Sequence, residues 1–299
     1  MSKKKSSTDK MNGAFLPCDM KSTKNKIIYG SLSVWMLLYI AIVLIPVFWM
    51  LLFVFKEPSE IISKTPTFFP KQIRLSKIGE VWSQYRIYRY YVNTAVMAVG
   101  TVIFDVVING LAGYVISKLK PKGSKAYFSL IFTLMLIPAT VSMVPNYMLF
   151  KDFPYLHINM LNSFVPIWLM AGANMFNVLL FKTSFDGISD SLIEAAKLDG
   201  ASNLKIFLKI IIPLSVPVII TVSIFTFNAQ FGNFFWPYLL IDDPNKTVLG
   251  VRLYKLKSSN LSLDVQMMTL IFSVVPQALV FILFQKYIVG GINIGGVKG

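Results

Sequence analysis

Few residues in this chain could carry out covalent chemistry. His157 is its one histidine and Cys18 its one cysteine, which excludes an intrachain disulfide and leaves almost nothing from which to build a zinc site. No His-Glu-x-x-His, nucleophile elbow or facing pair of acids occurs in an apolar stretch. The closing Gly-Gly-Val-Lys-Gly (295–299) lacks the spacing of a phosphate loop and the Ser or Thr after its lysine. No catalytic or metal-ligating set is therefore assigned.

Polar groups in apolar surroundings are more informative. Asp105 is the one charged residue in Tyr91–Ser117. A carboxylate at the centre of a bilayer costs about 2.5–3.5 kcal/mol on insertion scales, so it should face other helices or a wet cavity. It is either a contact for substrate or gating, or a structural acid that is protonated or bonded to an asparagine. Asn228, Gln230, Asn233 and Trp236 gather near the end of another apolar block. Planar amides and a stacking ring suit the lining of a sugar path, and they equally suit interhelical hydrogen bonds with interfacial anchoring. Asn93, Asn174 and Asn177 are lesser candidates of the same kind. A third set is the acidic, alanine-rich run Glu194-Ala195-Ala196-Lys197-Leu198-Asp199-Gly200-Ala201.

The elements that must position these groups are membrane helices. The chain is 55% hydrophobic and 14% charged, against about a quarter charged in soluble domains. Ile27–Phe55, Ala126–Phe150, Leu161–Phe181, Ile210–Leu240 and Val265–Gln285 contain no Asp, Glu, Lys or Arg. With Tyr91–Ser117 these make six blocks, each near or above the roughly 20 residues that span a bilayer. An all-α polytopic membrane protein of six transmembrane helices is expected. Pro138 and Pro145 predict a kink or break in the third block, and Pro213, Pro217 and Pro237 punctuate the fifth. That fifth block should hold a helix ending near Phe231, followed by a turn or interfacial segment.

The net charge of +15 does not indicate nucleic acid, because the cations lie in the tail and the links rather than on a basic face with stacking aromatics. With six spans both termini share a side, which holds 17 of the 29 Lys and Arg. Short links weigh most in the positive-inside rule. Lys118–Lys125 has four lysines in eight residues, whereas 151–160 has one in ten. Both termini are thus expected in the cytosol, with residues 1–26 a basic tail, Cys18 within it, and 182–209 a cytosolic link.

In that link, Ser191 and Glu194 have capping-box spacing, so a helix should begin near Ser189–Ser191. Ala195, Ala196, Lys197 and Leu198 favour helix, and Gly200 can adopt the positive φ that ends it. A second helix should start near Ser202 and run into the membrane. The result is a two-helix elbow with a small, smooth Ala-Ala surface. It is either an ordinary link or a docking element for a groove on another protein.

This stretch resembles the EAA loop of the inner-membrane permeases of ABC importers. Glu194, Ala195, Ala196, Asp199, Gly200, Ala201, Phe207, Pro213 and Pro217 stand at the family's spacing. Asn93-Thr94, the Leu111–Lys125 exit, the proline-rich Met135–Phe150 segment and the Phe284–Gly299 ending resemble the family too, covering about 90–299. The ending is similar to that of the maltose and multiple-sugar permeases. Two features depart from the pattern: Ser189 replaces a usual proline, and Phe231-Gly232-Asn233-Phe234 replaces a usual Trp-Asn-Asp/Glu-Phe, although Trp236-Pro237 is kept.

The resemblance implies a permease core at 90–290, with its EAA loop at 183–209, after a first helix and external loop at 27–89. A cytosolic C-terminal tail would occupy 291–299. It implies an importer of carbohydrate, an oligosaccharide by analogy, in a prokaryotic plasma membrane. The partners would be a second related permease, two ATP-binding subunits that use ATP and Mg, and an extracytoplasmic sugar-binding protein; this chain itself would bind no cofactor. Glu194–Ala201 would dock on an ATPase subunit, and Pro213 and Pro217 would shape the helix that transmits its motion. The rival readings are an intramembrane glycosyl or lipid transferase, a permease for a different solute and a secondary transporter, the last of which should show repeated halves.

Overall fold

The computed structural model describes residues 23–291 apart from 62, 64–66, 139 and 258–260; Cys18 and the C-terminal tail lie outside them. Regular structure among the described residues is helical, with one isolated antiparallel bridge between Phe153 and Ile158. The chain forms two compact units divided between Ile73 and Arg74.

The first unit holds α1 (Thr23–Val54) and the single turn α2 (Pro58–Ile61). In α1, 32 residues form a helix that carries Pro46 inside it and exposes nearly all of its apolar side chains. Within α2, the Glu60 carboxylate accepts from the Thr67 hydroxyl and, at 3.2 Å, from the Lys71 amide.

The second unit is built around α4 (Ile87–Tyr114), which one π-helical turn continues over Val115–Leu119. A short helix, α3 (Ser76–Gln84), precedes it, and α5 (Ser124–Leu134) and α6 (Met143–Lys151) follow. Next come α7 (Val165–Ala171), α8 (Met175–Asp186), α9 (Asp190–Leu198), α10 (Asn203–Ile206) and α11 (Ile212–Leu214). The chain then runs through α12 (Val216–Phe231), α13 (Phe235–Leu240), α14 (Leu249–Lys257) and α15 (Leu263–Gly291).

Helix α4 is polar inside and apolar outside. Thr94, Ala98, Thr101, Asp105, Asn109 and Gly113 form a buried stripe at three- and four-residue spacing, whereas Val92, Val96, Val99, Ile103 and Val107 are exposed on the other side. Small and polar residues pack membrane helices closely because lipid offers apolar side chains no reason to leave it. Helices α7, α8 and α12 pack on α4, and α15 packs on α12. At Gly113 an added Cβ would stand 2.7 Å from the Phe181 Cβ, so the missing side chain is what lets α4 and α8 approach.

Among the described residues, three helices are long and apolar enough to cross a membrane: α1, α4 with its π turn, and α15. Two helix pairs reach that length and apolarity together but are bent at a short break, α7 with α8 by 46° and α10–α11 with α12 by 80°. The expected continuous helix at Leu161–Phe181 is therefore corrected to two. Gly172 ends α7, and the Asn174 side chain caps α8 by accepting from the Asn177 amide at 3.2 Å. The third block also differs from a single helix, since α5 and α6 are separated by 135–142, which contains Pro138. Proline removes a donor and clashes one turn back, as anticipated for that block.

Candidate functional site

The elbow forms from local signals. Ser189 is the N-cap of α9, its hydroxyl accepting from the Ser191 amide at 3.3 Å, and Asp190 occupies the first turn. The capping box expected between Ser191 and Glu194 is thus corrected: with the cap at Ser189 a box would need its acid at position 192, and Glu194 lies two residues beyond it. At the other end Ala201 donates its amide to the Ala196 carbonyl and Gly200 donates to Lys197, at 2.9 and 3.0 Å. Those bonds close a Schellman motif around Gly200 at φ 75°. Ser202 then caps α10 by accepting from the Lys205 amide at 3.3 Å.

From α10 the chain passes through a π turn at Phe207–Ile211 before Pro213. Pro213 offers no N–H to the carbonyl one turn back, and a wider turn relieves the resulting crowding. The 80° bend falls at the fully buried Ser215, and Pro217 lies in the first turn of α12, where no donor is needed. Both prolines accordingly flank the point where the chain changes direction.

Two contacts fasten the elbow to the end of α4. The buried Lys118 Nζ donates to Asp190 Oδ1 at 2.5 Å and to the Ile188 carbonyl at 2.6 Å. The Lys118 ammonium, through that hydrogen bond and its charge, holds the Asp190 carboxyl below the usual carboxylate range. The second contact is apolar: the Phe207 and Tyr114 rings lie 5.1 Å apart, and the Tyr114 hydroxyl donates to the Asn203 carbonyl at 3.2 Å. Around them Phe181, Phe185, Ile193, Ile206 and Ile211 complete a buried cluster, against which Ala196 and Ala201 pack.

The outward side of the elbow is different. Glu194, Ala195, Asp199 and Gly200 are exposed, and so are the large side chains of Leu192, Leu198, Leu204 and Leu208. Leu198 is 90% exposed at the tip, beside the glycine turn. From the sequence Leu198 reads only as a helix former, and Leu204 and Leu208 as part of a helix running into the membrane; the fold leaves all three exposed, with Leu192.

Asp105 is the centre of a second constellation. It is buried, and its carboxylate accepts from Asn109 Nδ2, from Asn177 Nδ2 at 2.7 Å and from the Thr226 hydroxyl. One acid on α4 thereby ties together α4, α8 and α12. Asn109 also donates to the Ala171 carbonyl at 2.8 Å, satisfying an acceptor freed where α7 ends. Asp105, Asn174, Asn177, Thr226 and Gln230 border a cavity of about 250 Å³. Of the four residues proposed near the end of α12, Asn233 donates to Gln230 Oε1 at 3.0 Å. Asn228 Oδ1 is buried without a partner among the described residues, and Trp236 packs instead on the cluster of Met97, Phe150, Ile167 and Leu240. Asn93 donates to the carbonyls of Asn245 and Thr247 at 2.8 and 2.9 Å, which makes it a loop fastener. His157 is a loop residue beside Asp152, at 3.1 Å.

Comparison with known proteins places this geometry. The family described as "Binding-protein-dependent transport system inner membrane component" matches residues 106–293. The probable ABC transporter permease protein YurM of Bacillus subtilis is 29% identical over 90% of this chain and 89% of its own length. The maltodextrin transport system permease protein MdxG of Bacillus subtilis is 30% identical over 70% of this chain and 75% of its own length. A crystal structure of a bacterial ABC transporter involved in import of the acidic polysaccharide alginate contains a chain of the same fold. Its TM-score is 0.75 at 24% identity, over 89% of this chain and 98% of that one.

Proposed function

This chain belongs to the family of binding-protein-dependent transport system inner membrane components, and from that premise we propose that it is one half of the translocation path of an ATP-driven oligosaccharide importer. It is a transport component and not an enzyme. A related permease would complete the path, and an extracytoplasmic binding protein would deliver the sugar. Two ATP-binding subunits would consume ATP with Mg. The substrate class is supported by the maltodextrin permease relative and by the amide-rich lining beside Asp105. The cytosolic placement of both termini is supported by the lysines of 118–125.

The observation that carries the coupling role is the two-sided elbow. Its inner side is fixed to α4 through Lys118 and Phe207, while its outer side presents Glu194, Ala195 and four exposed leucines. Exposed apolar surface of this kind at a fixed turn favours a protein partner. Force on Leu198 and Glu194 would pass through the Phe207–Tyr114 contact to α4, and through the Pro213–Pro217 bend to α12. Those two helices hold Asp105 and Thr226, so docking at one end would act on the polar centre of the path at the other. Uptake of labelled oligosaccharide into reconstituted vesicles tests the reading: it should require ATP and persist when ion gradients are collapsed. Uptake driven by a gradient without ATP would contradict it.

A further inference from the structure

Where α4, α5 and α8 come together at one end of the second unit lies a cavity of about 600 Å³ that the transport path does not use. This volume falls in the range of small-molecule sites and far exceeds the roughly 30 Å³ of one water. Its polar wall is Lys120, Lys125, Lys182 and Asp186, and its floor is Ile116 and Phe128. Three lysines and one aspartate thus line it. That carboxylate is already engaged, accepting from the Ser117 hydroxyl and from Lys182, each at 2.6 Å. Lys182 also lies over the Phe128 ring at 5.6 Å. Lys125 has no acidic partner among the described residues, and Lys120 reaches only Asp190, at 3.7 Å.

The position selects the ligand. The α4 span ends at Leu119, α5 begins at Ser124 and α8 ends at Asp186, so the cavity sits at span ends, in the headgroup layer. On α5, which also contributes Ser124, Lys125 and Phe128 to the lining, Tyr127 is 67% and Leu130 60% exposed. A soluble anion would use the lysines and leave those two side chains bare. A phospholipid would use both, with its phosphate among Lys120, Lys125 and Lys182 and its acyl chain along α5.

We propose that this cavity binds the phosphate headgroup of an anionic membrane phospholipid. The inference needs the chain to be an integral membrane protein and does not depend on which sugar is carried or which end is cytosolic. The test is native mass spectrometry of the whole detergent-purified transporter, titrated with phosphatidylglycerol, with phosphatidylcholine, and with inorganic phosphate. Wild type should retain phosphatidylglycerol in preference to phosphatidylcholine. Lys125→Gln should weaken that retention about fivefold, the effect of removing one lysine near an anionic surface. Lys122→Gln, a lysine of the same link outside the cavity lining, should leave it unchanged. Equal retention of the two lipids by wild type, or equal losses in Lys125→Gln and Lys122→Gln, would overturn the proposal. So would displacement of the lipid by millimolar inorganic phosphate, which would make the site one for a soluble anion. Should Lys125→Gln fail to assemble, the competition between the two lipids on wild type decides alone.

Discussion

Lys118 at the end of α4 and Asp190 in the first turn of α9 stand 2.5 Å apart, with the lysine buried and the aspartate open to solvent. A buried ammonium must be paired, and here its partners are Asp190 and the Ile188 carbonyl, both on the approach to the elbow. Lys118→Met should therefore loosen 188–199 while the helices of the second unit stay assembled, read as faster amide exchange confined to that segment. The pH dependence has a definite sign. Asp190 is held below its unfolded value of about 3.9, so its contribution is complete above that value and disappears as pH falls through the lowered one. Exchange in 188–199, corrected for intrinsic rate, should be level from about pH 5 to 8. Loosening within that window would mean the pair does not hold the elbow.

Asp105 should tolerate Asn better than Leu, though imperfectly. Three donors converge on its carboxylate. An amide supplies one acceptor oxygen, and Thr226 can rotate its hydroxyl to accept in place of donating. Leucine removes the shared acceptor; Asn109 keeps the Ala171 carbonyl, and each donor left unsatisfied in a buried site costs about 1–3 kcal/mol. Complex yield and melting temperature in detergent should fall in the order wild type, Asp105→Asn, Asp105→Leu. Equal melting of the two variants would show that the carboxylate does not organise α8 and α12.

Gly113→Ala should destabilise the contact of α4 with α8 by about 1–3 kcal/mol, as overpacking does. The obstructing atom is the Phe181 Cβ at 2.7 Å, with the Lys182 amide nitrogen at 3.1 Å. Shortening the partner with Phe181→Leu keeps that Cβ and should give no rescue. Recovery in the double variant would show that the ring, rather than the backbone approach, sets the distance.

Cys18 tests the orientation. As the chain's one thiol, it should resist an impermeant maleimide in sealed cells and react once they are permeabilised. Labelling in sealed cells would reverse the orientation drawn from the lysine-rich links.

What could be read from the sequence follows the range of the interactions. The elbow was legible because a Ser cap, alanines and Gly200 act within a dozen residues; only the cap's register was misplaced, two serines being equally able to serve. Asp105 announced itself as a costly acid with an asparagine partner, but Asn177 and Thr226 lie 72 and 121 positions away along the chain, and no local pattern pairs them. The break between α7 and α8 was hidden because Gly172-Ala173-Asn174 interrupts an uncharged run whose one proline, Pro166, lies at the start of α7 and not at the break. Trp236 was grouped with the amides by proximity in sequence, and the α13 turn carries it to an apolar cluster instead.

The central claim is that the elbow turn at Gly200 couples ATP hydrolysis to passage of the sugar. An added Cβ at Gly200 meets nothing within 4 Å, so the cost of a side chain there is backbone strain at φ 75° and not a clash. A β-branched residue suffers that strain, about 1–2 kcal/mol for left-handed geometry, whereas asparagine tolerates it. ATP hydrolysis and oligosaccharide uptake should be measured together in proteoliposomes containing the complete transporter with its loaded binding protein. Gly200→Asn should behave nearly as wild type. Gly200→Val should insert normally yet lose stimulated hydrolysis and uptake, with Glu194→Ala affected in the same direction but less. Full stimulated hydrolysis and uptake by Gly200→Val would show that the elbow is an ordinary link between membrane helices.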